Sequence, residues 1–337
     1  MRSHHYYENG KMAAKRSQTG DRFAYPSVRK VLLMAGVALV LSFDSARADE
    51  SGVSFWIPGQ YGSLAALAPT PGWVLPTSFY HYSGDAEPDA PFTIGDSVVA
   101  GLSARVDGLI LAPTYVPQPE LLGARVALSL GWMPAYTDVE VGVRIRPPDL
   151  ESETTDSLTG GSDLFPLVSL YWQDGDHNWM GYATGAIPVG AYDPTRLANI
   201  GLGHGTIDMG GAYTYLNTNT GREFSATLGF TYNFENPDTD YKNGTDSHLD
   251  IGVSQFLSEK LQLGVVGYAY YQLTGDSGSG AVFGPFKSRV AGLGPQLGYT
   301  FDVGPAPLYV NLRGYWEFGA KHRLEGFSLF VQAAITF

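Results

Sequence analysis

Phe224-Ser225-Ala226-Thr227-Leu228-Gly229-Phe230-Thr231-Tyr232-Asn233-Phe234 alternates without a break. Phe, Ala, Leu, Phe, Tyr and Phe share one parity, and Ser, Thr, Gly, Thr and Asn share the other. Successive side chains of a strand point to opposite faces, so this stretch carries one apolar face and one small, polar face. The pattern returns at Leu308, Val310, Leu312, Gly314, Trp316 and Phe318, set against Tyr309, Asn311, Arg313, Tyr315 and Glu317. It returns again at Val98, Ala100, Leu102, Ala104 and Val106, set against Val99, Gly101, Ser103, Arg105 and Asp107. In a soluble sandwich the apolar rows would share a core. In a membrane barrel they face lipid, and the polar rows line the lumen.

Alternation does not separate those two folds, but the connections do. Strands are predicted near 73–83, 96–115, 121–146, 164–173, 177–188, 206–216, 222–234, 247–256, 260–273, 287–302, 307–318 and 326–337. Short connections at 116–120, 174–176, 217–221, 257–259 and 303–306 follow the even-numbered strands. Longer ones at 84–95, 147–163, 189–205, 235–246, 274–286 and 319–325 follow the odd-numbered strands. Short periplasmic turns alternating with longer external loops are the asymmetry of outer-membrane barrels, and a sandwich has no reason to sort its loops so. The expectation is an all-β fold: a transmembrane antiparallel barrel of about 12 strands over 72–337, starting and finishing on the periplasmic side.

Composition agrees. The chain has 337 residues, no cysteine, 42 glycines and only 16% charged residues, against about a quarter in ordinary soluble domains. No apolar run after position 50 approaches the ~18–20 residues of a membrane helix. A closed barrel is the other structure that satisfies every backbone group in lipid. Residues 1–48 read as a leader. Arg29 and Lys30 precede an apolar stretch from Val31 to Phe43, and Ala46-Arg47-Ala48 offers a small-x-small cleavage site after Ala48. Residues 1–28 read as an extended basic region or an overlong gene start, with Met12 as an alternative initiator. Removing the leader's eight basic and three acidic residues leaves 13 basic against 30 acidic. That balance excludes a nucleic-acid partner, which needs basic charge to displace phosphate counterions. Without cysteine there is neither a disulfide framework nor a thiolate metal site.

The last predicted strand carries Phe327, Leu329, Val331, Ala333, Ile335 and Phe337 in one apolar row ending at the carboxylate. This row is similar to the terminal tag read by the barrel-assembly machinery, which makes Phe337 the expected assembly signal and that machinery an expected partner. Before the first strand, 49–71 does not alternate. Ser54 to Ala68 is expected to form a helical turn or two, opened by Pro58 and closed by Pro69 and Pro71. So short a helix is unstable alone. Its aromatic side chains require burial, and the barrel lumen is the available place: a short N-terminal helical plug.

The run Ser54-Phe55-Trp56-Ile57-Pro58-Gly59-Gln60-Tyr61-Gly62-Ser63-Leu64-Ala65-Ala66, then Pro71-Gly72-Trp73 and Phe79-Tyr80-His81-Tyr82, resembles a known family. It is that of the outer-membrane transporters grouped with the meta-cleavage pathway of phenol degradation. More distantly the chain resembles the long-chain fatty-acid transporters, which are larger barrels also plugged by their amino-terminal segment. The resemblance implies a monomeric barrel, in outer-membrane lipid and lipopolysaccharide, that takes up aromatic or other hydrophobic compounds.

The expected function is passive, cofactor-free uptake of a small hydrophobic solute through a pocket near Phe55, Trp56, Tyr61 and Leu64. A general diffusion porin and a closed structural or adhesive barrel are the alternatives. An enzymatic barrel would need a nucleophile and a base. His81, His177, His204, His248 and His322 sit in no Ser/His motif, and no pair has zinc-ligand spacing. Inward charges are costly unless paired or solvated. Arg105, Asp107, Arg125, Asp208, Asp250, Arg313 and Glu317 fall on the polar faces and are expected to form a lumen network holding the plug. Trp73, Trp132, Trp172, Trp179, Tyr232 and Trp316 read as girdle anchors at the headgroups. Asp149, Glu151, Glu153, Asp156 and Asp163 are expected in one external loop, and Glu235, Asp238, Asp240 and Asp246 in or beside another. Such loops can collect divalent cations that bridge to lipopolysaccharide phosphates; a solvated loop is the simpler reading.

Overall fold

The computed structural model describes residues 54–86, 91–94, 97–145, 150–282, 284–303 and 306–336. The leader 1–48, the start of the plug segment and Phe337 lie outside the described residues. The first four barrel strands are β1 Gly72–Asp85, β2 Leu102–Leu111 resumed at Thr114–Val116, β3 Arg125–Gly131 resumed at Pro134–Ile145, and β4 Leu150–Gly161 resumed at Phe165–Asp174. There follow β5 His177–Ala186, β6 Thr206–Asn217, β7 Arg222–Asn233 and β8 Asp246–Phe256. The last are β9 Leu261–Gln272, β10 Arg289–Val303, β11 Ala306–Lys321 and β12 Glu325–Thr336. Each pairs antiparallel with the next, and β12 closes on β1 from Val74↔Thr336 to Asp85↔Glu325. The breaks in β2 and β3 fall at Pro113 and before Pro134, residues with no N–H to give the ladder. A small hairpin, Pro91–Ile94 with Ser97–Ala100, lies in the first connection.

Burial decides between sandwich and membrane barrel. Along β7, Glu223, Ser225, Thr227, Thr231 and Asn233 are buried, while Phe224, Leu228, Phe230 and Tyr232 stand 38–49% exposed. A soluble domain buries the other set. Polar inside and apolar outside is what lipid around a polar lumen demands. Exposed aromatics collect near both rims: Trp73, Tyr115 and Trp179 at the end with the short turns, and Tyr232, Trp316 and Phe318 at the end with the long loops.

Two connections differ from the expectation. Residues 150–161 extend β4 and pair with β3 from Leu150↔Ile145 to Gly161↔Pro134. Glu151, Glu153 and Asp156 therefore stand on a strand, not in a loop, and Asp163 sits in the break of β4. The stretch is rich in Thr and Ser, residues that suit a pleated strand, but it lacks the apolar alternate row that announces the others. The last connection shortens likewise to 322–324.

The plug segment is not helical. Gly59 (φ 81°) and Leu64 (φ 68°) lie in the left-handed region, which no run of right-handed helix can contain. Single turns close at Gln60 N to Ile57 O (3.1 Å) and Leu67 N to Leu64 O (3.1 Å). Other amides are taken by lumen side chains. Ser54 also lies at the long-loop end, where Arg323 Nη1 of the β11–β12 connection donates to its Oγ (3.1 Å). At the short-turn end Arg125 Nη1 donates to Pro69 O (3.1 Å). The chain thus descends the whole lumen before turning into β1.

Candidate functional site: the plugged lumen and its upper cavity

The inward parity of β6, β7, β8, β10 and β11 brings polar side chains to the descending segment. Asp250 on β8 accepts from Gly59 N at 3.0 Å and Tyr61 N at 3.2 Å. Arg313 on β11 donates through Nε to Gly59 O at 3.2 Å and through Nη2 to Gln60 O at 2.7 Å. Asn311 and Gln332 hold the same guanidinium at 2.9 Å each, and it lies over the Phe330 ring. Lower down, Leu64 N donates to Glu223 Oε1 and Ser225 Oγ, both at 3.0 Å, and Ala66 N to Thr214 Oγ1 at 3.0 Å. Gln296 reaches Ser63 Oγ. Bonds with one charged partner are roughly twice as strong as neutral ones, so the polar lumen serves as a mould for an otherwise unsatisfied backbone.

Trp56 anchors the upper part. Its ring stacks on His248 with centroids 3.5 Å apart, on Tyr61 at 5.6 Å and on Tyr182 at 5.9 Å. Asp208 Oδ2 lies 3.0 Å from His248 Nε2 and also accepts from Thr231. This pair orients the imidazole under the indole.

Above Trp56 is a cavity of about 170 Å³. Leu102, Ala104 and Val106 of β2 and Val139 of β3 form one wall, and residues of the 187–205 connection form another. Glu317 is the carboxylate in the wall, saturated by Tyr82 Oη (3.0 Å), Tyr268 Oη and Gly326 N (2.8 Å). The lining is mostly aliphatic and aromatic, with Trp56 Nε1 and Ser328 Oγ left without hydrogen-bond partners; such a chamber suits a largely apolar guest.

Of the expected pocket residues, Trp56 lines this cavity. Phe55 packs instead on Phe165 at 5.8 Å, Tyr61 stacks beneath Trp56, and Leu64 is held by its amide lower down. Of the expected lumen network, Arg125, Asp250 and Arg313 touch the plug backbone, Asp208 supports its anchor through His248, and Glu317 lines the cavity. Arg105 and Asp107 correct the reading, because they face outward. There they pair with each other (2.7 Å), and Asp107 pairs with His81 (2.7 Å). The row Leu102, Ala104, Val106 that should have met lipid instead lines the cavity. Alternation gives two faces and not their sense, and here an apolar chamber puts the apolar row inside. Glu223, Thr214 and Gln296 were missed, although Glu223 lies on the polar parity of β7 beside Ser225.

An antiparallel barrel, apolar outside and polar within, closed through its first and last strands and filled by its own amino-terminal segment, is a β-barrel of the bacterial outer membrane. More narrowly, the chain belongs to the family described as "Putative MetA-pathway of phenol degradation", which matches residues 89–333. That span begins beyond the 54–82 motifs that first suggested the family. The COG4313 outer membrane channel from Pseudomonas putida F1 shares the fold, with TM-score 0.60 and 13% identity, over 84% of this chain and 100% of that one. A Pseudomonas aeruginosa FadL homologue is more distant, with TM-score 0.41 and 10% identity over 83% of this chain and 95% of that one. No curated protein matches the sequence.

Proposed function

We propose that this protein is an outer-membrane channel for the passive uptake of small hydrophobic or aromatic compounds. The observation that carries the reading is the cavity above Trp56: about 170 Å³, largely apolar, and seated on the plug segment. An apolar cavity of ~150 Å³ accepts one benzene ring, so a single-ring solute fits and an extended acyl chain does not. A general porin needs an open, charged passage, whereas here the Ser54–Pro71 segment is bonded along the lumen. A purely structural barrel has no use for an apolar chamber. The family's description and the channel from Pseudomonas putida F1 support the same reading. Solute enters from the long-loop end, taken as external, rests on Trp56, and passes when the plug yields. Its gradient drives transfer, so the reading requires no cofactor and no catalytic step. The barrel is proposed to act as a monomer among outer-membrane lipid and lipopolysaccharide.

Uptake of toluene and of a sugar is to be compared in cells with and without the gene, and with residues 54–70 deleted. Toluene uptake should depend on the gene and sugar uptake should not, while the deletion should admit both. Sugar uptake through the intact protein, with large steady conductance in planar bilayers, would make it a porin. Flux of neither compound changing in any strain would remove transport altogether.

A further inference from the structure

Among the described residues, the wall of this barrel is laced by backbone ladders except in one place. The upper half of β4, Leu150–Gly161, pairs with β3 on one side and has no strand on the other. Residues 187–205, between β5 and β6, cover that edge. Beyond the Leu164–Ile187 bridge at the break of β4, they do so with one backbone bond among the described residues, Ala191 N to Gly161 O at 2.9 Å.

Side chains fix the rest of the cover, and they do so unequally. Asp163, buried in the break of β4, accepts from Gly190 N at 2.8 Å through Oδ1 and from Leu202 N at 2.9 Å through Oδ2. One carboxylate therefore pins both ends of the excursion 191–201. Between them Ile200 N and Gly201 N return to Ala191 O, each at 3.0 Å, so the two limbs are tied to each other. The tip is tied outward. Arg196 donates to Asp156 through Nε at 3.2 Å and Nη2 at 2.6 Å, and Nη2 reaches Ser157 O at 2.7 Å. Asp156 Oδ2 also accepts from Ala198 N at 3.1 Å. The pair is bidentate, but its side chains remain 36% and 25% exposed, so water reaches it as it does not reach the buried Asp163.

Behind this cover is the cavity, which Leu197, Ile200, Leu202 and His204 help to enclose. The neighbouring cover is built more firmly. Buried Asp276 accepts from Tyr241 Oη (2.6 Å), Gly244 N (3.0 Å) and Gln272 Nε2 (2.6 Å), which joins the 234–245 and 273–288 connections. Below, the plug is bonded along its length. Of these three boundaries, the one that opens most easily is the segment whose tip rests on a partly exposed ion pair.

We infer that residues 191–201 form a flap over the cavity, hinged at Asp163 and latched by Arg196 on Asp156, and that solute enters when the latch releases. The inference rests on the uptake reading for its solute but concerns access to the cavity, which purified protein reports directly.

The test compares wild type, Arg196→Glu, and the charge swap Asp156→Arg with Arg196→Asp. It measures the association rate of toluene with the purified barrel, by tryptophan fluorescence, alongside amide hydrogen exchange. Arg196→Glu should speed exchange at 192–201 while Gly59 and Tyr61 keep their protection, and should raise the association rate at least threefold. The charge swap should return both towards wild type. A second arm uses the absence of native cysteine. A Cβ on Gly160 would lie 2.8 Å from Ala191 Cβ, so after a small shift a Gly160→Cys, Ala191→Cys pair can be oxidised. Oxidation should slow association at least threefold, and reduction should restore it. Faster exchange without faster association would show a mobile segment off the entry path and overturn the inference. So would unchanged exchange in Arg196→Glu, or a wild-type barrel that binds no toluene. Toluene association that follows the latch, in a protein whose gene makes no difference to cellular uptake, would sink the channel reading and leave the flap standing.

Discussion

Asp250 and Arg313 hold one turn of chain from opposite sides: the carboxylate takes the Gly59 and Tyr61 amides, and the guanidinium takes the Gly59 and Gln60 carbonyls. The arrangement satisfies the backbone of a left-handed bend with charges already in the lumen. Each charge also offsets the burial of the other. The two act across the plug rather than in contact, so removing one alone leaves the other charge less compensated and is more damaging than replacing both.

Arg313→Met should therefore lower the urea midpoint of the folded barrel and free the upper plug. Asp250→Asn combined with Arg313→Met should recover part of the loss. In planar bilayers the single variant should show frequent open events where wild type is quiet. Equal conductance in all three proteins would mean the plug does not depend on this clamp.

Trp56 is the second fastening, buried to 2% and stacked on His248. Trp56→Ala removes the floor of the cavity together with the anchor, and core truncations of this size cost about 3–5 kcal/mol. The expected outcome is a weaker barrel with increased sugar flux, because the upper plug loses its anchor. Trp56→Phe should keep most of the stacking and most of the closure. A liposome-swelling assay separates the two, and indistinguishable swelling rates would count against Trp56 as the seal.

Filling the chamber tests the other half of the reading. Ala104 lines the cavity from β2, and a phenyl group there would occupy much of about 170 Å³. Ala104→Phe should reduce toluene uptake at least tenfold while leaving plug closure and barrel assembly intact. Uptake that survives the substitution would place the route elsewhere.

Much of this barrel was legible from parity alone, because lipid imposes an apolar row on each strand that crosses it. Where that demand lapses, so does the signal. The Thr- and Ser-rich stretch 150–161 carries no lipid row and so no strand signature, although it pairs with β3 residue for residue. The parity of Arg105 and Asp107 misleads because β2 carries its apolar row into the cavity. The plug was recognisable as a buried segment from Trp56 and its neighbours, but its lack of helix was not. That depends on Asp250, Glu223 and Thr214, up to 191 residues away in sequence, taking the amides a helix would have used.

His204 closes the flap's carboxyl-terminal side, and its state should make the 187–205 connection sensitive to pH. Burial pushes its imidazole below the ordinary histidine value, against the opposing pull of the Leu202 carbonyl, the Asn233 side chain and Asp163. A histidine depressed in the folded state stays neutral there while the unfolded chain takes up a proton near pH ~6.5. Its contribution to stability is therefore complete above that pH and lost as pH falls towards the folded value. Lowering pH from about 7 to about 5 across that unfolded value should speed amide exchange in 187–205 more than in the plug, and His204→Phe should flatten the dependence. Exchange that rises equally in the plug and the connection, or a His204→Phe protein with the wild-type profile, would place the sensitivity in another group. The expected direction, loosening in acid, follows from desolvation exceeding the three interactions that favour the charged ring.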